Sequence, residues 1–517
     1  MATFGSETRQ RGPRSPGPAP RLATTGFLVL LVAFTASFAW MAWAGHRAFM
    51  RVLVDTDVAM WHSVMRNVLR GSLPLYRNPY SGTWTHYFAA DHVNPLIFLV
   101  APLWAIMPSN VLFAWVQVAA YAGTAVLLYA VARLRLESSA WAAAIAGAFL
   151  LSPLPTWSLH NHFSSSPFMI LFLPAALWCV LRRRIGWYWA AIAGLLLSRE
   201  DAAILAMVVG LYAAAAARRY WLGALTVAIA GLYLLLVVRV LMPYLAGGFP
   251  YPYVSLGYGW LGPTPTAALG RVVGDPWWVV QELYRVGAIQ ALVLHLLPFA
   301  FTPLASWRGL ILLLPLGYLL LHLHSHTLSY HHAYRAATLA GLAAVEGVRT
   351  LRLRVLPALP GRAGEAGLAT LMLSLAVGTH VWAAYSPASR NLDWREFAVG
   401  PRERAMRAAM ARVPPGGRVT ASRVYLTHLA PTRTVDCVWE HVDVRDGVAP
   451  VGLVCIDTGA PIDSEYVLLT EERRGSVLQR VSGSPAYALV FERRGTVLYR
   501  RVDGQGEPAP GAVPTRP

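Results

Sequence analysis

Residues 54–76 read V-D-T-D-V-A-M-W-H-S-V-M-R-N-V-L-R-G-S-L-P-L-Y, and residues 85–104 read T-H-Y-F-A-A-D-H-V-N-P-L-I-F-L-V-A-P-L-W. This stretch lies between two long apolar runs. Asp55 and Asp57 follow the first run, and Asp91 and His92 stand where the chain turns apolar again at Pro95. Titratable groups collected at a membrane face point to a site that works there, on something the membrane delivers. The apolar positions Val58, Trp61, Met65 and Leu69 recur at helical spacing, which predicts an interfacial amphipathic helix over 57–69.

Working outward, the composition is that of a membrane protein. The chain of 517 residues is 56% hydrophobic and 14% charged, against roughly 25% charged in soluble domains. Its 19 Trp and 22 Tyr suit repeated lipid–water boundaries. The net charge of +18 does not argue for nucleic acid. The basic residues cluster in short breaks between apolar runs: Arg133 and Arg135, Arg182–Arg184, Arg218 and Arg219, then Arg349, Arg352 and Arg354. That is the positive-inside pattern, and it sets orientation. Cys179 lies in an apolar run, whereas Cys437 and Cys455 fall in the polar tail and can pair if that tail is exported.

Threading by run length and arginines gives a polytopic α-helical membrane protein with about eleven membrane segments. Residues 1–23, rich in Pro, Gly and Arg, read as a disordered cytoplasmic tail, and Thr24–Ala44 as a retained first span. Residues 46–94 form a large outer loop, and the membrane domain runs over 24–385. Trp187–Leu197 is about 16 Å long as helix, too short for a core of about 30 Å. It is followed by Ser198-Arg-Glu-Asp201, sixteen apolar residues to Ala217, and then Arg218-Arg219. One straight span would put a basic pair outside. Two half-length helices keep both basic ends inside and aim the acids into a cavity, where charge at membrane depth is tolerated. Residues 386–502 change character and predict an extracytoplasmic α/β domain. Its helix is over Glu403–Val413 and its strands over Arg418–Ala421, Tyr466–Thr470, Ala486–Glu492 and Thr496–Arg500, with a further helix near Glu471–Arg480. Residues 503–517 read as a disordered tail. The expected location is an integral plasma (inner) membrane protein with a cytoplasmic N-terminus.

In this threading Asp55, Asp57, His92, His162, Glu200, Asp201, His331 and Arg335 all fall on the outer side or in the cavity open to it. A carboxylate near an apolar wall can act as general base. Carboxylates with histidines can hold a divalent metal that neutralises a phosphate leaving group, and Arg199 and Arg335 can clamp a phosphate. Structural roles compete with these. Asp55 or Asp57 can cap the helix that follows, Asp91 and His92 precede a turn at Asn94-Pro95, and Arg199 can simply pair with Glu200. The histidines between His324 and His332 match no zinc spacing. No phosphate-binding P-loop, dinucleotide fingerprint or nucleophile elbow is present.

The run Asp57-Val-Ala-Met-Trp61, then Arg70-Gly-Ser-Leu-Pro-Leu-Tyr76, then Asp91-His-Val-Asn-Pro95 resembles the prokaryotic membrane family called domain of unknown function 2079. That family has D-L-x-I-F in its first outer loop and H-F-S-P before its second span, where this chain has His92-Val-Asn-Pro95. Its F-H-P element is matched loosely around His162, and its K-E-D element looks like Arg199-Glu200-Asp201. In the tail, Val413–Ser422 with His428–Arg433, and Glu465–Thr470, resemble the family's I-P-x-x-A-S-V-x-A-S…L-x-x-R and D-Y-V-L-L-D. The resemblance covers residues 50 to 500. It implies a GT-C-like fold and a glycosyltransferase that moves a sugar from a polyprenyl-phosphate donor to an extracytoplasmic acceptor. Its expected partners are membrane lipid and a lipid-linked sugar. Asp57 would be base or metal ligand, with Asp55 as alternate and Glu200 beside them. His92, His162, Arg199, Asp201, His331 and Arg335 would bind substrate, and Asp57 with His92 would hold any divalent metal. The alternative is a non-catalytic membrane protein that binds or moves a lipid-linked glycan.

Overall fold

The computed structural model describes residues 18–50, 56–77, 84–90, 92–160, 166–246, 257–322, 332–358, 363–438, 466–470 and 481–502. Up to residue 383 these are mainly helices. Arg21–Arg47, Asn110–Leu136, Tyr220–Leu245 and Gly364–Ala383 are each long and apolar enough to cross a membrane. Ser139–Leu150 and Pro153–His160 form a pair bent by 49°. The bend falls where Pro153 and Pro155 interrupt the backbone hydrogen-bond ladder. Pro95–Ile106, Pro167–Leu181, Ile185–Leu196, Ala202–Ala217, Ala288–Phe299 and Trp307–Leu321 are shorter apolar helices. The loop after residue 242 carries two helices that the hydropathy pattern did not signal, Pro265–Gly274 and Pro276–Arg285. Thr264 and Asp275 cap them.

The helix Ala333–Arg354 runs through the centre, with every residue from Ala333 to Val348 buried. Its alanines and glycines let neighbours approach closely. A Cβ on Gly341 would meet Leu128, and one on Gly347 would collide with the Thr302 carbonyl. Two charges at its ends are satisfied across the bundle. Glu346 accepts from Arg135 at 2.6 and 2.7 Å and from Tyr212 at 2.6 Å. Arg335 is paired with Asp201.

Ile185–Leu196 and Ala202–Ala217 return to the same side, as the short apolar run requires. The Tyr188 hydroxyl, one turn after Arg184, lies 2.7 Å from the Thr226 hydroxyl, which follows Arg219 by two turns. Both basic turns therefore share one end of the bundle, and Ser198–Asp201 lies at the other end of these two helices.

The first-loop helix spans Thr56–Leu69. Its sequence suggested a helix lying at the lipid surface. Instead Met60, Trp61, Val64 and Met65 pack with Tyr87, Ile97, Trp104 and Phe113, and His62 is fully buried. The apolar stripe seals against protein because residues 95–106 fold beneath it. On its other side Arg66 donates to the Ala430 carbonyl and, at 3.0 Å, to that of Arg433.

Those carbonyls belong to the tail. Pro401–Met410 is a helix. The sheet has five strands in the order Thr434–Val438, Arg418–Ser422, Tyr466–Thr470, Thr496–Arg501, Tyr487–Arg493. The first three are parallel, and the last three are antiparallel neighbours. Arg423–Leu429 forms the crossover helix, which the sequence reading missed together with the strand Thr434–Val438. The helix expected near 471–480 lies outside the described residues, as does Cys455.

Candidate functional site

The break between the two half-length helices builds the site. At Ser198 the helix stops and its hydroxyl bonds back to the Gly194 carbonyl at 2.7 Å. The Leu197 carbonyl, freed by the break, accepts from Leu96 N–H at 3.3 Å, which docks the re-entering first loop onto it. Glu200, fully buried, then takes hold of that loop. One carboxylate oxygen lies 2.7 Å from His92 Nδ1, and the other accepts from the Val93 backbone N–H at 3.0 Å. Asn94 donates to the Tyr87 hydroxyl at 3.0 Å, so the turn before Pro95 is held on both flanks.

Asp201 looks the other way. Arg199 Nε is 3.0 Å from one of its oxygens and Arg335 Nη1 is 2.6 Å from the other. Tyr318 donates to Asp201 at 3.2 Å and accepts from Arg335 at 2.7 Å, and Arg335 is bonded to His332 as well. Arg199 and Arg335 are buried. They share the acid Asp201, so this triad keeps one formal positive charge. The fully buried Glu200 stands beside the triad and offsets that charge, so these four groups together are formally neutral, as burial of charge requires.

These groups line a cavity of about 380 Å³. Its polar end is formed by Arg199, Glu200, Asp201, Tyr258, His322, His332 and Arg335. Its apolar wall is the stripe Gly231, Leu234, Leu235 and Val238 on the spanning helix. Leu232, Leu235 and Leu236 on that helix are exposed, so the wall borders the surface that an apolar chain in the bilayer would touch.

The sequence expectations divide accordingly. Arg199, Glu200, Asp201 and Arg335 share the cavity, and His92 is tied to it through Glu200. Asp55, His162 and His331 lie outside the described residues. Asp57 is in the Thr56–Leu69 helix by its backbone, and its side chain is likewise outside what is described. His160 is buried against Tyr385 with a ring separation of 4.4 Å and does not line the cavity. Among the described residues no group of three His, Cys, Asp or Glu gathers as metal ligands. His92 meets Glu200 in the carboxylate–histidine geometry that orients a ligating imidazole. Tyr258, Tyr318, His322 and Arg239 were not singled out from sequence. For Arg239 a signal existed: a charge inside an otherwise apolar run.

The sequence profile of DUF2079, a family described as predicted membrane protein, matches residues 52–497. This chain belongs to that family. A comparison of the DUF2079 chain with curated proteins gave no match. Among solved structures, it is similar to ArnT from Cupriavidus metallidurans in the apo state, at 13% identity and a TM-score of 0.46, covering 94% of this chain and 100% of that one. It is similar to the arabinofuranosyltransferase AftD from Mycobacteria, at 15% identity and a TM-score of 0.45, covering 89% of this chain and 41% of that one. It is also similar to the Archaeoglobus fulgidus oligosaccharyltransferase in the apo form, at 12% identity and a TM-score of 0.42, covering 93% and 75%.

Proposed function

We propose that this protein is a GT-C-type membrane glycosyltransferase that moves a sugar from a polyprenyl-phosphate donor to an extracytoplasmic acceptor. The observation that carries the reading is the convergence of distant charged residues on one cavity with an apolar wall. His92 and Glu200 are 108 residues apart in the chain, and Asp201 and Arg335 are 134 apart. Arg199, Arg239 and Arg335 against Glu200 and Asp201 leave one formal positive charge on the cavity lining, and that excess beside an apolar stripe suits a ligand that is anionic at one end and hydrocarbon at the other.

In this reading the acceptor hydroxyl attacks the anomeric carbon of the donor. A new C–O bond forms, the bond to the phosphate oxygen breaks, and the lipid phosphate leaves with the electron pair. Asp57, the loop acid implied by the family resemblance, takes the hydroxyl proton. Arg199 and Arg335 favour the developing phosphate charge electrostatically. Glu200 has both oxygens engaged by His92 and Val93, so its part is to hold the first loop over the cavity. Placing the N-terminus in the cytoplasm and the sheet of the tail outside belongs to the same proposal, because it sets the site on the acceptor's side.

The test is a deletion strain complemented with wild type or with Asp57→Asn, with membrane levels of the two proteins matched. The expected result is that deletion and Asp57→Asn both accumulate unconsumed lipid-linked sugar and lose a glycan that wild type restores. If Asp57→Asn restores the glycan like wild type, the catalytic reading is wrong. A wild-type protein that co-purifies with polyprenyl-phosphate lipid but leaves glycans unchanged on deletion would favour the binding protein instead.

A further inference from the structure

Arg239 stands in the spanning helix Tyr220–Leu245 and lines the cavity. It is exposed, and so are the neighbouring Leu235, Leu236, Val240 and Leu241. An arginine among lipid-facing leucines is costly unless it faces water, protein or an anion. The other two cavity arginines share Asp201. Arg239 makes no ion pair or hydrogen bond among the described residues.

The backbone around Arg239 carries a local distortion. Val237–Leu241 is a single π-helical turn, in which Met242 N–H bonds to the Val237 carbonyl five residues back. The cause is Pro243. It lacks the N–H that would bond to the Arg239 carbonyl, and its ring would strike that carbonyl in a regular helix. Arg239 follows Leu235 by four residues and so continues the Gly231–Leu235 stripe on one face of the helix. Val237 and Met242, at the ends of the turn, pack on Val93, next to the residue that pairs with Glu200. The distortion is thus braced against the first loop.

We infer that Arg239 is the residue that receives the phosphate of a lipid phosphate entering from the bilayer along the Gly231, Leu234, Leu235 and Val238 stripe. Arg199 and Arg335, committed to Asp201, shape the floor beyond it. This rests on the functional reading above. The cation at the mouth meets the headgroup first, and the stripe takes the first isoprene units.

The experiment uses the full chain in nanodiscs, wild type, Arg239→Gln and Arg239→Lys, with a long-chain polyprenyl phosphate as probe and phosphatidylglycerol as the competing anionic lipid. Arg239→Gln is expected to weaken polyprenyl-phosphate binding on the order of tenfold or more, and Arg239→Lys by less, because a lysine keeps the charge and loses the bidentate fork. Affinity for phosphatidylglycerol should be unchanged in all three. Thermal stability is measured alongside to confirm folding. Wild-type affinity in Arg239→Gln overturns the inference, and so does an equal loss toward phosphatidylglycerol, which would make Arg239 a general interfacial anchor. If wild type itself binds no polyprenyl phosphate, the proposed function falls and takes this inference with it.

Discussion

Asp201 holds two buried arginines, and that makes it the most consequential single residue of the site. Asp201→Ala would leave Arg335 buried without its acid, at a cost of about 3–5 kcal/mol. The expected readout is a large drop in melting temperature in detergent. Replacing all three members, Asp201→Leu with Arg199→Met and Arg335→Met, should recover most of that loss while abolishing function, whereas Asp201→Leu with Arg335→Met should recover less because Arg199 stays buried without that acid. His62 gives a pH prediction. Its Nε2 donates to Asn110 Oδ1 at 2.5 Å, and its Nδ1 accepts from Trp104 at 2.7 Å. Burial is the main cause that lowers its pKa to about 3. The unfolded chain binds that proton near pH 6.5, so the contribution to stability is complete above 6.5 and is lost as pH falls toward 3. Between pH 7 and 5 the loss is about 2 kcal/mol. His62→Gln should flatten that part of the curve of melting temperature against pH.

The second half-length helix, Ala202–Ala217, is positioned by close backbone contact with the spanning helix that follows it. A Cβ at Gly210 would lie 2.8 Å from the Gly223 carbonyl oxygen, and one at Gly223 would lie 2.9 Å from the Ala214 Cβ. Gly210→Ala must push the two helices apart, and overpacking of this kind costs about 1–3 kcal/mol. The same substitution at Gly186, where nothing is near, should be neutral or slightly stabilising, which makes it the control in the same melting experiment. The π-helical turn offers a second prediction at this scale. Pro243→Ala allows a hydrogen bond to the Arg239 carbonyl that proline cannot make. Melting temperature should hold or rise in the same experiment, and a fall would show that the π-helical turn is held by packing on Val93 rather than by Pro243.

Across the whole molecule, the tail is anchored on the first loop and the end of the first span. His428 is stacked between His46 and Phe49, each at 4.2 Å. Arg407 donates to the Arg47 carbonyl and Arg66 donates to the two tail carbonyls. Arg66→Ala removes charge-assisted bonds worth about 1.5–3 kcal/mol, so limited proteolysis should release the tail faster from that variant. Burial, with the like charges of His46, Arg407 and His62 adding to it, lowers the His428 pKa. Acid therefore weakens this contact as pH falls below 6.5, and His428→Phe should remove the acid-induced release while keeping the stack.

The class of the protein and the position of most helices were legible in the chain. Apolar runs and arginine clusters are local, and so is the penalty for leaving a backbone amide unpaired in lipid. The same reasoning found the half-length hairpin, because eleven apolar residues cannot span and Arg199-Glu200-Asp201 cannot sit in hydrocarbon. It could not say which acid meets which base. Helical periodicity tells which face of a segment is apolar, yet not which other helix it will face. Glu200 looked like a catalytic acid by cost alone, and folding gave both its oxygens to His92 and Val93. Asp201 looked secondary, and folding made it the hub of two arginines. Tyr318 carried no local mark, since a tyrosine in an apolar run is ordinary until a buried charge stands beside it, and Tyr258 was one of several tyrosines in a segment rich in Gly and Pro. Sequence determined what had to be hidden from lipid; tertiary packing decided which charges were hidden together, because pairing energy depends on distances that only the folded chain sets.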